Sequence, residues 1–246
     1  MSFMLPRPSR TALAAWDNLR EEFGGRDGNA DDVDPRAPDN WLRSASFSIR
    51  VPKPSAIYYF CKPDLVYALG TRWKAALPDD AILVMRTGVA AAHCAAIVRR
   101  EAIRCRSRVR FVGDLDPQDL AIYLGLAFGD YSMRPNPRTA VPLVHTGIND
   151  AWLAAAERAF RADPRWSNML EWVALPMTVA EQSYLTVLEQ LGPPLEEWVG
   201  PRCASLLRGG KKIEVEAFLN SPADPRSYAR ALGLPRRGPR RSRTRA

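Results

Sequence analysis

The stretch from Val109 to Leu126 constrains this chain most. An apolar, β-favouring run, Val109, Phe111 and Val112, stops at Gly113; Asp114 and Asp116 follow, and Pro117 has no N–H for a strand ladder. Behind it, Leu120-Ala121-Ile122-Tyr123-Leu124-Gly125-Leu126 is apolar enough for a buried helix. A strand that turns into a helix in this way belongs to a parallel α/β sheet, whose ligands gather at the carboxyl edge. With a side-chain period of two, Asp114 and Asp116 point the same way if the strand continues through them. Two carboxylates about 6 Å apart repel by roughly 3 kcal/mol at an effective dielectric of about 20. A hard divalent cation such as Mg²⁺ or Mn²⁺ offsets that repulsion, which makes Asp114 and Asp116 candidate metal ligands. The same residues also suit a solvated turn ending in a helix cap.

At 246 residues the chain is long enough for one substantial core. Its hydrophobic share of 46% and charged share of 25% are those of an ordinary globular protein. No apolar run approaches bilayer length, and Pro6 and Pro8 interrupt any signal-peptide core, so a cytoplasmic location is expected. Cys61, Cys94, Cys105 and Cys203 show no CxxC spacing, and only His93 and His145 are available to help them hold zinc. Most of the cysteines read as buried small hydrophobes. Cys61 as a reactive nucleophile would need His145 as its base. The net charge is +8, of which Arg236, Arg237, Arg240, Arg241, Arg243 and Arg245 contribute six, leaving a nearly neutral body and a basic tail. Such a tail suits a phosphate backbone. No Walker loop or GxGxxG occurs, which removes support for a nucleotide cofactor.

Residues 1–54 read as a largely irregular extension. Within it, Leu13, Trp16, Leu19 and Phe23 form one short helical face, and Phe47, Ile49 and Val51 alternate like an edge strand. From Ala56 the rhythm becomes strand, helix, strand, helix. The expected strands are Ile57–Phe60, Ile82–Met85, Val109–Val112 and Val141–Val144. The expected helices run from Pro63 to Leu77, Val89 to Arg104 and Asp119 to Phe128. This alternation implies a parallel sheet of about four strands flanked by helices. Its carboxyl edge gathers Cys61/Lys62, Arg86/Thr87, Asp114/Asp116 and His145/Thr146. The last third is helical, with helices over Asp150–Arg161, from a Thr178–Glu181 capping box, and over Trp198–Leu207. Lys62, Arg86 and Arg134 are placed to receive a phosphate backbone near the aspartates, and Arg99 to Arg110 form a denser basic run. Glu214 and Glu216 suit structural ion pairs with Lys211 or Arg208.

Taken together, residues 55–232 resemble a Toprim domain, in the version found in the A subunit of topoisomerase VI and its meiotic double-strand-break relatives. The Toprim domain of Wadjet-type plasmid-defence nuclease subunits is a near cousin. Four passages carry the resemblance. Ile57-Tyr58-Tyr59-Phe60-Cys61-Lys62 resembles the first strand, which in the family ends in Glu-Lys. Gly113-Asp114-Leu115-Asp116-Pro117 is similar to the Gly-Asp-x-Asp-Pro metal motif. Val141 to Asp150 resembles the strand and turn that follow, and Lys212-Ile213-Glu214-Val215-Glu216-Ala217 the Lys-x-Glu-x-Glu/Gln-Ala segment near the domain's end. Two positions depart from the pattern: Cys61 stands where the family has its Glu, and Asp119 where a Gly follows the metal motif. Asp64 and Asp119 are candidates to supply the missing oxygen, although both also read as helix-start residues.

The resemblance implies a Toprim-like protein of DNA metabolism that binds Mg²⁺ (or Mn²⁺) through Asp114 and Asp116 and works with a protein partner. Asp114, Asp116 and Cys61 hold the catalytic positions. Lys62, Arg86, Arg236, Arg237, Arg240 and Arg241 are the expected nucleic-acid contacts, and residues 233–246 form the basic tail. Nothing before Ser55 reads as the winged-helix domain that carries the nucleophilic tyrosine of the topoisomerases. Any nuclease or topoisomerase-type activity is therefore expected to be impaired or partner-dependent. The alternative is a catalytically inactive interaction module of a DNA-processing or phage-defence complex.

Overall fold

The structure is a computed structural model, and it describes residues 56–62, 82–85, 92–129, 136–161 and 168–219. The helices expected at Thr11–Phe23 and Pro63–Leu77 lie outside these residues, as do the edge strand before Val51, Asp64, Arg86, Arg134 and the arginine tail.

The protein is α/β. Strands β1 (Ile57–Phe60), β2 (Ile82–Met85) and β3 (Val109–Val112) form a parallel sheet, and a shorter strand, β4 (Leu143–His145), pairs with β3 in the same direction. The order is β2-β1-β3-β4. The period of two sorts β1 and β3 cleanly. Tyr58, Phe60 and Val112 enter one core cluster, while Ile57, Tyr59, Val109 and Phe111 enter another on the opposite face. With both faces covered, β1 has no polar position, as befits a central parallel strand.

Helix α1 (Ala92–Cys105) covers the second face through Ala95, Val98 and Ala102. Helix α2 (Pro117–Phe128) is buried nearly all round: Leu120, Leu124 and Phe128 join the first cluster, and Ile122 and Leu126 the second. It begins two residues before the expected Asp119, because Asp116 caps it and Pro117 supplies a preset helical φ at the first position. It ends at Gly129, whose φ of 78° lets its N–H reach back to Gly125 and Leu126. Strand β4 starts at Leu143 rather than Val141. The Val141 N–H is taken by the Leu126 carbonyl and Pro142 has no N–H to give.

The first face is completed by α3 (Asp150–Phe160), α4 (Met169–Val173), α5 (Val179–Leu191), α6 (Leu195–Val199) and α7 (Pro201–Arg208). Trp152, Leu188, Leu195 and Leu207 are fully buried there. The Thr178 capping box forms as expected, with Glu181 returning the bond to the Thr178 N–H at 2.7 Å. The helix expected over Trp198–Leu207 is instead two helices that meet at Gly200, φ 88°. Asp150 packs where a Gly200 side chain would lie and accepts the Arg202 and Cys203 N–H groups at 3.1 and 2.8 Å, capping α7. Strands β5 (Ala174–Pro176) and β6 (Lys211–Ile213) form a small antiparallel pair, followed by α8 (Glu216–Leu219).

Candidate functional site

In the order β2-β1-β3-β4 the chain leaves β1 in opposite directions, so the topological switch point lies between β1 and β3, where open α/β sheets leave a crevice. The register pairs Phe60 with Val112, which sets Cys61 beside Gly113, and the Cys61 N–H donates to the Val112 carbonyl at 3.2 Å. The turn after β4 closes on the same spot: the Ile148 N–H donates to the Gly113 carbonyl at 3.2 Å. Gly147 and Gly113 touch backbone to backbone, and a Cβ on Gly147 would stand 2.6 Å from the Gly113 nitrogen and nearer still to its oxygen. Neither glycine has room for a side chain, since a Cβ on Gly113 would meet Asp119 Oδ2 at 2.7 Å.

Leu115, fully buried, exchanges both backbone hydrogen bonds with Ile213 of β6 at 2.9 and 3.0 Å. This stitches the C-terminal segment onto the metal-like motif and brings Asp114 under it. The Asp114 carboxylate is 1% exposed; its Oδ1 accepts the Val215 N–H at 2.8 Å and its Oδ2 lies 2.5 Å from Lys62 Nζ. Lys62 also donates to Glu216 at 2.7 Å and lies 3.7 Å from Glu214. Burial, then the charge of Asp116, raises the Asp114 carboxyl to about 6, against the pull of Lys62 and the Val215 N–H; it is mostly ionised at neutral pH. Burial works against the Lys62 ammonium as well, but its hydrogen bonds to Asp114 and Glu216 outweigh that and raise its pKa. Glu214 and Glu216 thus find Lys62 as their cation. Arg208, one of the partners expected for them, bonds to Glu189 and Glu196 instead.

Asp116 is the N-cap of α2. Its backbone is extended, and its Oδ1 accepts the Asp119 N–H at 2.7 Å. Asp119, in the first turn of the helix, sends its carboxylate back into the protein, where Oδ2 accepts the Asp114 N–H at 2.7 Å. Burial and the charges of Asp116 and Asp114 hold the Asp119 carboxyl well above the usual carboxylate range. Burial, followed by the charges of Asp119, Asp114 and Asp116, likewise pushes the Cys61 thiol up, and the thiol shares a hydrogen bond with Asp119. A thiol so held is neutral and is no nucleophile. The imidazole of His145 packs on Phe111 and Tyr123, with ring centroids 5.8 and 5.5 Å away, one strand position short of the carboxyl edge.

The crevice is an ion network in which two ammonium groups, Lys62 and Lys212, stand among five carboxylates, Asp114, Asp116, Glu181, Glu214 and Glu216. Lys62 answers Asp114 and Glu216, and Lys212 answers Glu181 at 2.8 Å; burial raises the Asp116 carboxyl pKa against the pull of the Asp119 N–H and of Lys212 and Lys62. Among the described residues no group of three His, Cys, Asp or Glu side chains is arranged to hold a metal ion. Asp116 is turned to its helix cap, Asp119 to the backbone beneath Gly113, and Cys61 is a neutral, soft donor poorly matched to Mg²⁺. As arranged, these residues do not fit a resident Mg²⁺ or Mn²⁺, and the cation of the site is the Lys62 ammonium. Of the expected nucleic-acid contacts, Lys62 is committed to carboxylates, while Arg86, Arg236, Arg237, Arg240 and Arg241 lie outside the described residues. Sequence reasoning missed the Lys62–Glu216 contact, which spans 154 positions and leaves no local periodic signal. No helix among the described residues is long and apolar enough to cross a membrane. No protein-family model matches the chain, and no curated protein matches it either.

Proposed function

We propose that this chain is a Toprim-like protein of DNA metabolism that acts with a protein partner and is not a self-sufficient nuclease. One observation carries the reading. The four passages that resemble the Toprim domain are scattered over 160 positions of sequence, yet they meet at one crevice. Lys62 reaches Asp114, Ile148 bonds Gly113, Ile213 bonds Leu115, and Val215 bonds Asp114. A chance set of short matches would not be expected to converge on the switch point of a parallel sheet.

Within that reading, the inactive interaction module is favoured over a partner-activated enzyme. Its support is the Lys62 ammonium, held between Asp114 and Glu216 where carboxylate repulsion would otherwise call for a metal. Cys61 supplies no charge at the family's Glu position. The test is a plasmid-nicking assay on the isolated chain in Mg²⁺ and in Mn²⁺. No nicking is expected from the wild type, nor from Asp114→Asn. Robust nicking by the wild type that is lost in Asp114→Asn would overturn the inactive reading and return Asp114 to a catalytic role.

A further inference from the structure

The large apolar side chains left exposed are not scattered. Among the described residues they are Ile103, Trp172, Leu175 and Val179, and the last three fall between positions 172 and 179. Local structure explains why all three face outward. In α4, Leu170 and Val173 pack on the first cluster, so the helical period turns Trp172 away from it. In β5, Ala174 packs on the same cluster opposite Ile213, so strand alternation turns Leu175 outward. Val179 opens α5 half a turn out of phase with the fully buried Leu188. Trp172 is 71% exposed, Val179 80% and Leu175 43%. Together they leave roughly 400 Å² of apolar surface on one short segment, the size of patch that marks a protein interaction site.

The backbone decides how that surface can be covered. Ile213 spends both of its backbone groups on Leu115, so Leu175 is the residue of β5 that exchanges hydrogen bonds with Lys212. The outer edge of β5 is left to Ala174, whose N–H is taken by the Leu170 carbonyl, and to Pro176, which has none. An extended peptide finds no donor there, so strand addition is excluded and the patch must be met by the side chains of a folded surface. Its flanks carry opposite charges. Glu171 stands beside Trp172, Lys211 stands opposite Pro176, and both are exposed. An apolar centre with an acid on one side and a base on the other is complementary to its own copy turned about a two-fold axis.

We propose that the Trp172, Leu175 and Val179 surface is the interface of a symmetric dimer of this chain. The two-fold lays Trp172 against the partner's patch and sets Glu171 of each protomer near the partner's Lys211. Two apolar patches of roughly 400 Å², with a rim of Glu171, Pro176 and Lys211, bury about 1,200 Å² in total, which reaches the lower end of stable interfaces. Trp172 is the anchor, since a large aromatic side chain at the centre of an interface carries most of its energy. The inference stands on the exposed surface and does not rest on the Toprim reading.

The test is sedimentation velocity of the full-length chain at low salt over a concentration series. A dimer is expected with a Kd on the order of 1–10 µM. Trp172→Ser should weaken it on the order of a hundredfold or more, because each dimer loses two anchors. The thermal midpoint of that variant should match a wild type measured below its Kd, since the side chain is exposed in the single chain. Glu171→Lys and Lys211→Glu should each weaken the dimer by roughly tenfold, and the double reversal should restore most of the affinity. That rescue separates a two-fold contact from indiscriminate sticking of an exposed tryptophan. Three results would each overturn the proposal: a chain that stays monomeric at about 100 µM, Trp172→Ser dimerising like wild type, or a double reversal no tighter than the single ones.

Discussion

Replacing His145 with Leu should remove most of one acid-sensitive term from the stability of this fold. The imidazole is buried, and neither Nδ1 nor Nε2 has a hydrogen-bond partner. Its ring neighbours are Phe111 and Tyr123, and the Tyr123 phenol is itself pushed up to about 12 by burial, so neither of these rings is an anion able to receive an imidazolium. Burial lowers the His145 pKa from 6.5 to about 4. The unfolded chain therefore binds a proton before the folded one does. The stability linked to the neutral ring is complete above the unfolded value near 6.5 and is lost as the pH falls toward 4. Between about pH 8 and about pH 4.5 the linkage amounts to roughly 2.5 kcal/mol. Urea unfolding of wild type and His145→Leu at both pH values isolates this term, because packing changes cancel within each protein. The drop in stability on acidification should be smaller in His145→Leu by about 2.5 kcal/mol. At the higher pH the variant should lie within about 1 kcal/mol of wild type, since two buried unpaired nitrogens disappear with the ring. An equal acid-induced drop in the two proteins would refute the reasoning.

Gly147→Ala should destabilise the fold by about 3 kcal/mol or more, because the new methyl meets the Gly113 backbone and not a flexible side chain; a thermal midpoint within a degree or two of wild type would contradict the close backbone approach. Asp114→Ala should cost about 2–4 kcal/mol in urea unfolding by stranding the buried Val215 N–H and the Lys62 ammonium. Asp114→Asn, which keeps an acceptor for Val215, should cost less than half as much, and equal losses would show that the hydrogen bond is not what holds the C-terminal segment. Calorimetry with Mn²⁺ should give little heat for wild type and more for Lys62→Gln, which frees Asp114 and Glu216 from their ammonium; strong binding by wild type, unchanged in Lys62→Gln, would show that Lys62 does not stand in for the cation.

The sequence by itself determined the elements that answer to local chemistry. The apolar run of β1 announced a strand, Thr178 and Glu181 announced a capping box, and Gly113 with Pro117 marked the end of β3. These are decided by residues a few positions apart, through hydrogen bonds and φ preferences that any chain with those residues would feel. It also brought Cys61, Lys62, Asp114 and Asp116 to one edge, since alternating strands and helices leave little choice of where strand ends go. What those residues do there was decided by tertiary structure. Asp114 and Asp116, alike in sequence, differ because the Ile213 pairing on Leu115 lays Val215 and Glu216 over Asp114, while Asp116 is drawn into the cap of α2. Asp119 turned inward because the helix start aims it at the Asp114 N–H, and burial there then raises its carboxyl pKa. The division of the Trp198–Leu207 helix at Gly200 depended on Asp150, fifty positions away, needing that space. Ionisation and partner choice depend on burial and on charges distant in sequence, and both come into being only when the chain has closed on itself.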